Sequence, residues 1–501
     1  MDEVDHIVSF SFDRFHIGRR RVWVFTVFFF LCYYMLLPAH FGFLGMLRDS
    51  FYICIVPVLV AAVLYFRRFR DGTEFKLLFA FWIWFWFSRA LNGSPTLDHD
   101  FWLFFELSLM LPFFALGPAL TKMEREGFLD WLSALIGGFY FIIGLVALVA
   151  FLRHSLYTLP FTDAQIGFSP ETGYLRLMIL LEDTSITAFW YLIALSLMIY
   201  QFFHCPKKFW RVPILLSAVL DLLVIAALSS RSVWLCAALT FALLAVMLLL
   251  KSLLQRKSCV LRFAVVLVAA VLVLIVSYKG CALCADAMNT LSYKISDSQR
   301  SPLEPAQQSA VAEGTVRSEA YAFLRPMVLS SGSIEGSGAL TPLHGEDQSD
   351  PQTASDNLNY VSFSRRQIWY GALQTIRTNP SILWRGHICD SVIMAAYRFI
   401  ALDGTGQIPW NFYNSFIQVL MTTGIPGLAL VLSFLALVLY RGLRFSLGVG
   451  APLGIRTLVL PVLATMPYFM LEAGLFSVID IRTLFYFLMC GMTVASSREY
   501  G

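Results

Sequence analysis

Long apolar runs alternate with short polar segments along almost the whole chain. A run such as Leu215–Leu250, interrupted only near Asp221 and at Ser229–Arg231, holds two stretches of ~20 residues, the length that crosses a bilayer as a helix. The pattern predicts spans at 22–38, 50–66, 75–91, 101–117, 129–152, 186–203, 212–228, 231–250, 260–278, 412–440, 456–472 and 478–495. The expected fold is therefore an all-α polytopic membrane protein of about twelve transmembrane helices. The basic stretch Arg14 to Arg21 precedes the aromatic-rich run Val22–Pro38 without a small-residue cleavage site, so that run is expected to stay as the first span.

One segment breaks the rhythm. Residues 279–411 form a long loop between the ninth and tenth spans, which divides the chain into spans 1–9 (1–278), the loop, and spans 10–12 (412–501). Its first part, 296–359, is rich in Ser, Gly, Pro, Gln and acidic residues, the composition of a disordered segment. Its second part, 364–410, regains Trp, Ile, Leu and Tyr and is expected to fold as helical structure docked on the membrane.

Composition sharpens this picture. With 58% hydrophobic and only 14% charged residues, a water-soluble fold of this size could not hide its apolar side chains, so lipid must cover them. The net charge of +4 is modest and the basic residues sit in short clusters, which excludes a nucleic-acid-binding face. Those clusters orient the chain. Lys and Arg gather at 14–21, 67–76, 122–125, 207–211, 251–262, 441–444, 456 and 498, all on one side if the amino terminus is cytoplasmic. Both termini are then inside and the long loop is extracytoplasmic. The short outer loops hold only Arg48, Arg89, Arg153, Arg176, Arg231 and Arg482.

Of nine cysteines, Cys32, Cys54, Cys205, Cys236, Cys259 and Cys490 read as apolar fillers in or beside spans. Cys281, Cys284 and Cys389 fall in the long loop, where an oxidising exterior permits a disulfide. The single Cys281-x-x-Cys284 pair is a poor zinc signal, and no metal or other cofactor is expected.

An arginine kept on the outer side calls for a reason, because topology and burial near lipid both disfavour it. Arg231 lies in the turn Ser229-Ser230-Arg231-Ser232, where its guanidinium faces the bundle; snorkelling, or an ion pair with Asp221 about 15 Å earlier along the helix, is the alternative. Arg365 and Arg366 open Ser364-Arg365-Arg366-Gln367, whose S-x-x-Q spacing predicts a capping box and a helix of about fifteen residues ending at Asn379-Pro380. Ile368, Trp369, Ala372, Leu373 and Ile376 form its apolar stripe, with Arg366, Tyr370 and Arg377 on a neighbouring face. Arginines at a helix amino terminus suit a docked anion; an ordinary amphipathic surface helix is the alternative. Arg176, before the sixth span and followed by Glu182-Asp183, has a local ion pair as an equal alternative. A lipid pyrophosphate fits such a set, since its tail stays in the bilayer while its head needs bidentate cations.

The segment Trp410-Asn411-Phe412-Tyr413-Asn414-Ser415-Phe416, with nine residues from Ser415 to Thr423 before Gly424-Ile425-Pro426-Gly427, resembles the signature of the O-antigen ligase and polymerase superfamily. The turn Ser230-Arg231-Ser232 and the block Arg366–Gly386 look like its other recurrent elements, so the resemblance covers roughly 170–495. It implies a GT-C-like membrane glycosyltransferase whose large loop lies between spans 9 and 10. The donor would be an undecaprenyl-pyrophosphate-linked glycan, the acceptor a second glycan or a lipid A core or protein, and the anomeric carbon would invert. Arg231, Arg365, Arg366 and Arg176 would hold the pyrophosphate, and Asn414 with Tyr413 would position glycan. Gly424 to Gly427 is expected to bend a helix of about 45 Å that exceeds the ~30 Å hydrocarbon core, leaving 411–423 over the opening of the bundle.

Where the ligases carry a histidine, this chain has Tyr413, a poor base at neutral pH. Among His387, Asp390, Asp403 and Glu472, His387 ranks first as the replacement base. The missing histidine favours polymerase slightly over ligase. A polysaccharide transporter or flippase is the rival, although the halves show no matching pair of Gly/Pro-interrupted segments; a receptor or assembly factor would leave the outer arginines unexplained.

Overall fold

A computed structural model describes residues 72–92, 99–153, 156–158, 165–168, 175–178, 184–228, 230–253, 260–299, 356–387, 412–448, 451–471 and 481–500. The first two predicted spans, the segment 300–355, Cys389, Asp390, Asp403 and Glu472 lie outside these residues. From the third span on, the described residues of the predictions fall on helix, apart from a few end residues and the broken stretch at 456–472. The helices are α1 (Thr73–Leu91), α2 (His99–Ala119), α3 (Lys122–Leu152), α4 (Thr184–His204), α5 (Arg211–Ala227), α6 (Arg231–Leu253), α7 (Val260–Gln299), α8 (Asp356–Thr378), α9 (Ile382–Arg385), α10 (Ser415–Leu447), α11 (Leu453–Arg456), α12 (Leu460–Ala464), α13 (Met466–Leu471) and α14 (Ile481–Tyr500). Among the described residues, seven segments are long and apolar enough to cross a membrane.

The helices sort by how much of their surface is hidden. From Leu107 onward nearly all of α2 is buried, as are Thr187–Tyr200 of α4 and Arg482–Ser496 of α14, so these form the centre of the bundle. A Cβ on Gly117 of α2 would run into the backbone of Gly491 of α14, and one on Gly491 into the backbone of Phe114, which explains how these two helices approach so closely. The surrounding helices keep apolar stripes on the outside: Ile142, Leu145, Val146 and Val149 on α3, Leu215, Leu216 and Val219 on α5, and Leu272, Ile275 and Val276 on α7. Water would penalise these stripes by about 25 cal/mol per Å², and hydrocarbon accepts them. The chain is a multi-pass membrane protein.

Three departures from the expected pattern matter. The fold is not purely α, because β1 (Leu156–Thr158), β2 (Gln165–Phe168) and β3 (Leu175–Met178) make a three-stranded antiparallel sheet in order β1-β2-β3 between α3 and α4. The boundary drawn at 278 falls inside α7, which runs unbroken to Gln299 with Ala285 buried and Cys281, Ala282 and Met288 packed on the core. Cys281 and Cys284 are thus free cysteines on a packed helix rather than loop residues. The span predicted at 456–472 is a broken column, α11 to α13, in which Pro461 and Pro467 interrupt regular helix.

Candidate functional site

The segment 412–427 organises one end of the bundle. Asn414 caps α10: its Oδ1 accepts from the backbone N–H of Phe416 at 2.9 Å and of Ile417 at 3.0 Å, while its Nδ2 donates to the Met470 carbonyl of α13 at 2.8 Å. The preceding Tyr413 has φ 48, the one positive φ outside glycine among the described residues. It is held there from both sides, because Arg365 of α8 lies 5.8 Å from its ring centroid and Trp369 donates from Nε1 to the Phe412 carbonyl at 2.9 Å. Ile368, Ala372, Ile382, Phe412 and Met421 form a small core of their own, packed by Trp369, Ile376, Tyr413 and Ile417. The predicted stripe is confirmed except at Leu373, which is 62% exposed.

The capping-box expectation fails. Helix α8 begins at Asp356, so Ser364 sits about two turns inside it and caps nothing. Arg365 and Arg366 are interior helical residues, and the free N–H groups invoked for anion binding are not theirs. What brings Arg365 to the site is its position over Tyr413.

The bend is where the signature predicts it. Gly424 adopts φ 72, ψ −174 within α10, and Pro426 has no N–H to offer the Thr422 carbonyl. Each carbonyl freed by the bend finds another donor. Met421 O accepts from the His387 N–H at 3.0 Å, Thr423 O from Trp84 Nε1 at 2.7 Å, and Thr422 O from Arg89 Nη2, with Ser88 Oγ at 3.3 Å. The same end of α1 grips the loop after α9: Arg89 Nη1 donates to His387 O at 2.6 Å, and Ser88 Oγ and Asn92 Nδ2 donate to Arg385 O. Gly386, at φ 66, permits this approach, since a Cβ there would collide with Thr422. The Gly424-to-Gly427 bend and the Arg385-Gly386-His387 block are thus one joint. Trp84, Ser88 and Arg89 hold it. Sequence reading counted Arg89 among the misplaced arginines without assigning it a role; its position against the charge rule was the available signal.

His387 is half-buried at this joint. Met421, its backbone partner, lies six residues into α10, roughly 9 Å along the axis from the capped end where Tyr413 sits. Arg231 is the first residue of α6, after the Ser230 carbonyl has accepted the Trp234 N–H at 2.9 Å. Its side chain is exposed instead of facing the bundle. The alternative ion pair with Asp221 does not form, because Asp221 is fully buried with both carboxylate oxygens lacking a hydrogen-bond partner. Arg176 lies on β3 opposite Gly167 of β2.

Helix α13 joins these parts. It packs against α6 and against α10, and Asn414 is tied to it. Its Tyr468 accepts a hydrogen bond from Arg482 Nη1 at the start of α14, a buried arginine that sequence reading left without a role. Arg231, Arg365 and Arg482 therefore share the end of the bundle marked by Asn414. Guanidinium groups there suit a phosphate or pyrophosphate, and the free N–H groups of the first turn of α6 add to the attraction. Among the described residues no group of three His, Cys, Asp or Glu side chains is placed to hold a metal ion.

Comparison with curated proteins and with solved structures returns no match. A family model described as O-antigen ligase matches residues 216–432, the stretch that holds Arg231, the long loop, the Tyr413-Asn414 cap and the Gly424-to-Gly427 bend. Over that stretch the chain is similar to the O-antigen ligase family.

Proposed function

We propose that the chain is a glycosyltransferase of the plasma (inner) membrane that moves a glycan from undecaprenyl pyrophosphate to a sugar hydroxyl on the extracytoplasmic face, with both termini in the cytoplasm. The family match supports the general activity, a membrane glycosyltransferase of the O-antigen ligase or polymerase type acting on a lipid-linked glycan. The finer reading rests on one observation: Arg365 stacked on a Tyr413 of positive φ, beside a cap tied to the helix that packs on α6, which Arg231 opens. Strained backbone at a non-glycine residue costs about 1–3 kcal/mol and collects at functional positions.

In this reading the bond from the anomeric carbon to the pyrophosphate oxygen breaks as a bond to the acceptor oxygen forms, with inversion. Arg231, Arg365, Arg366 and Arg176 take up the charge that develops on the departing undecaprenyl pyrophosphate, which makes the reaction metal-independent. His387 accepts the acceptor's proton, and Tyr413 orients sugar hydroxyls. Asn414 has both lone pairs of its amide oxygen engaged as a cap, so its contribution to the glycan is the remaining N–H. The acceptor is a second lipid-linked glycan, a polymerase reaction, because Tyr413 replaces the ligase histidine; transfer to lipid A core or protein is the second reading. In cells, Arg231→Gln and Arg365→Gln should abolish polymer while membrane insertion stays normal. Full-length polymer from both variants would refute the assignment.

A further inference from the structure

A cavity of about 750 Å³ opens at the other end of α10 and α14, away from the Asn414 end. Arg441, Arg444, Arg498 and Ser497 line it together with the apolar side chains of Leu437 and Phe445. Two of the guanidinium groups are fixed by a single fully buried carboxylate: Glu74 of α1 pairs with Arg441 Nη1 at 2.5 Å and with Arg498 Nη2 at 2.8 Å. The neighbouring Glu499 is already matched by buried Arg125. Lys122 adds its ammonium 4.4 Å from the ring centroid of Tyr500, another lining residue. Arg444 is exposed in the last turn of α10, and Glu126, which accepts from Tyr500 Oη at 3.0 Å, joins Glu74 against the three lining arginines and Lys122. The cavity carries an excess of positive charge beside apolar side chains, and on the same turns of α10 Tyr440, part of the lining, and Leu443 are 61% and 37% exposed.

We propose that this cavity binds the phosphate of an anionic phospholipid headgroup, with the acyl chains lying along Leu437, Tyr440 and Leu443. Guanidinium forks match phosphate oxygens in pairs, and Glu74 holds two of them in place before the ligand arrives. A volume of this size exceeds a bare phosphate and suits a glycerophosphate. Basic pockets between transmembrane helices bind lipid headgroups for the same reasons. The site lies at the opposite end from the transfer chemistry and does not depend on that assignment.

The test is native mass spectrometry of the full chain released from nanodiscs that contain phosphatidylcholine and phosphatidylglycerol in equal amounts. The wild type should retain phosphatidylglycerol in preference to phosphatidylcholine by roughly tenfold. Arg444→Gln, an exposed position whose loss leaves the Glu74 pairs intact, should cut that preference several-fold. Lys208→Gln, an exposed cation preceding α5, should leave it unchanged. Equal retention of the two lipids would overturn the proposal, as would equal losses in the two variants, since general surface charge would then explain the preference. Displacement by millimolar inorganic phosphate would assign the cavity to a soluble phosphate and overturn the lipid reading.

Discussion

Arg89 donates to the carbonyl of Thr422, the acceptor that Pro426 leaves without a helical partner. The same guanidinium holds the carbonyl of His387, so one side chain closes the joint between the bent helix and the loop. Arg89→Ala should lower stability by about 2–4 kcal/mol, because two carbonyls lose a charged donor in a buried setting. Thermal unfolding in detergent measures it. Arg89→Lys should fall between, since an ammonium lacks the fork that reaches both.

The bend separates the roles of glycine and proline. At Gly424 a Cβ would lie 2.8 Å from the Leu383 carbonyl oxygen, and φ 72 disfavours any side chain. Gly424→Ala should therefore cost about 2 kcal/mol or more. Pro426→Ala adds an N–H whose helical acceptor is already occupied, and should cost less than about 1 kcal/mol. A larger fall in melting temperature for Pro426→Ala than for Gly424→Ala would show that proline, not glycine, sets the bend.

On α8, Trp369→Phe keeps an aromatic ring in the small core but loses the donor to Phe412 O, a loss of about 1 kcal/mol. Leu373→Ala, in the predicted stripe yet exposed, should change stability by less than about 0.5 kcal/mol. Chemical denaturation of both variants decides whether α8 docks through the observed face.

Asp221 is buried in α5 one turn after Ser217, and neither side chain has a hydrogen-bond partner. A buried polar group left in this way costs about 1–3 kcal/mol, so Asp221→Asn should hold or raise the melting temperature. A fall of several degrees would reveal a partner for the carboxylate.

What was legible in the sequence follows physical range. Apart from 456–472, spans from 75–91 onward fall on helix because twenty apolar residues in lipid leave the backbone no other way to satisfy its hydrogen bonds. The Gly424 bend was legible because its causes are local. The start of α8 was not: Ser364-x-x-Gln367 matched a capping pattern, but the helix already runs from Asp356 through Leu358, Tyr360, Val361 and Phe363. The strands between α3 and α4 are three or four residues long, too short for alternation to register. Arg89 and Thr422 are 333 positions apart, and no periodicity in either segment points to the other. Arg231 was noticed for its location, yet its exposure depends on how α5 and α6 end, which Trp234 fixes by donating to the Ile225 carbonyl at 2.9 Å.

The central claim is transfer from a lipid pyrophosphate driven by arginines at the Asn414 end. Purified protein given a defined undecaprenyl-pyrophosphate oligosaccharide, without added divalent metal, reports on it through product chain length and released undecaprenyl pyrophosphate. The account predicts elongated glycan with one undecaprenyl pyrophosphate released per bond formed, and a loss of at least about 100-fold in Arg365→Gln. Translocation of intact lipid-linked glycan with no released undecaprenyl pyrophosphate would contradict it.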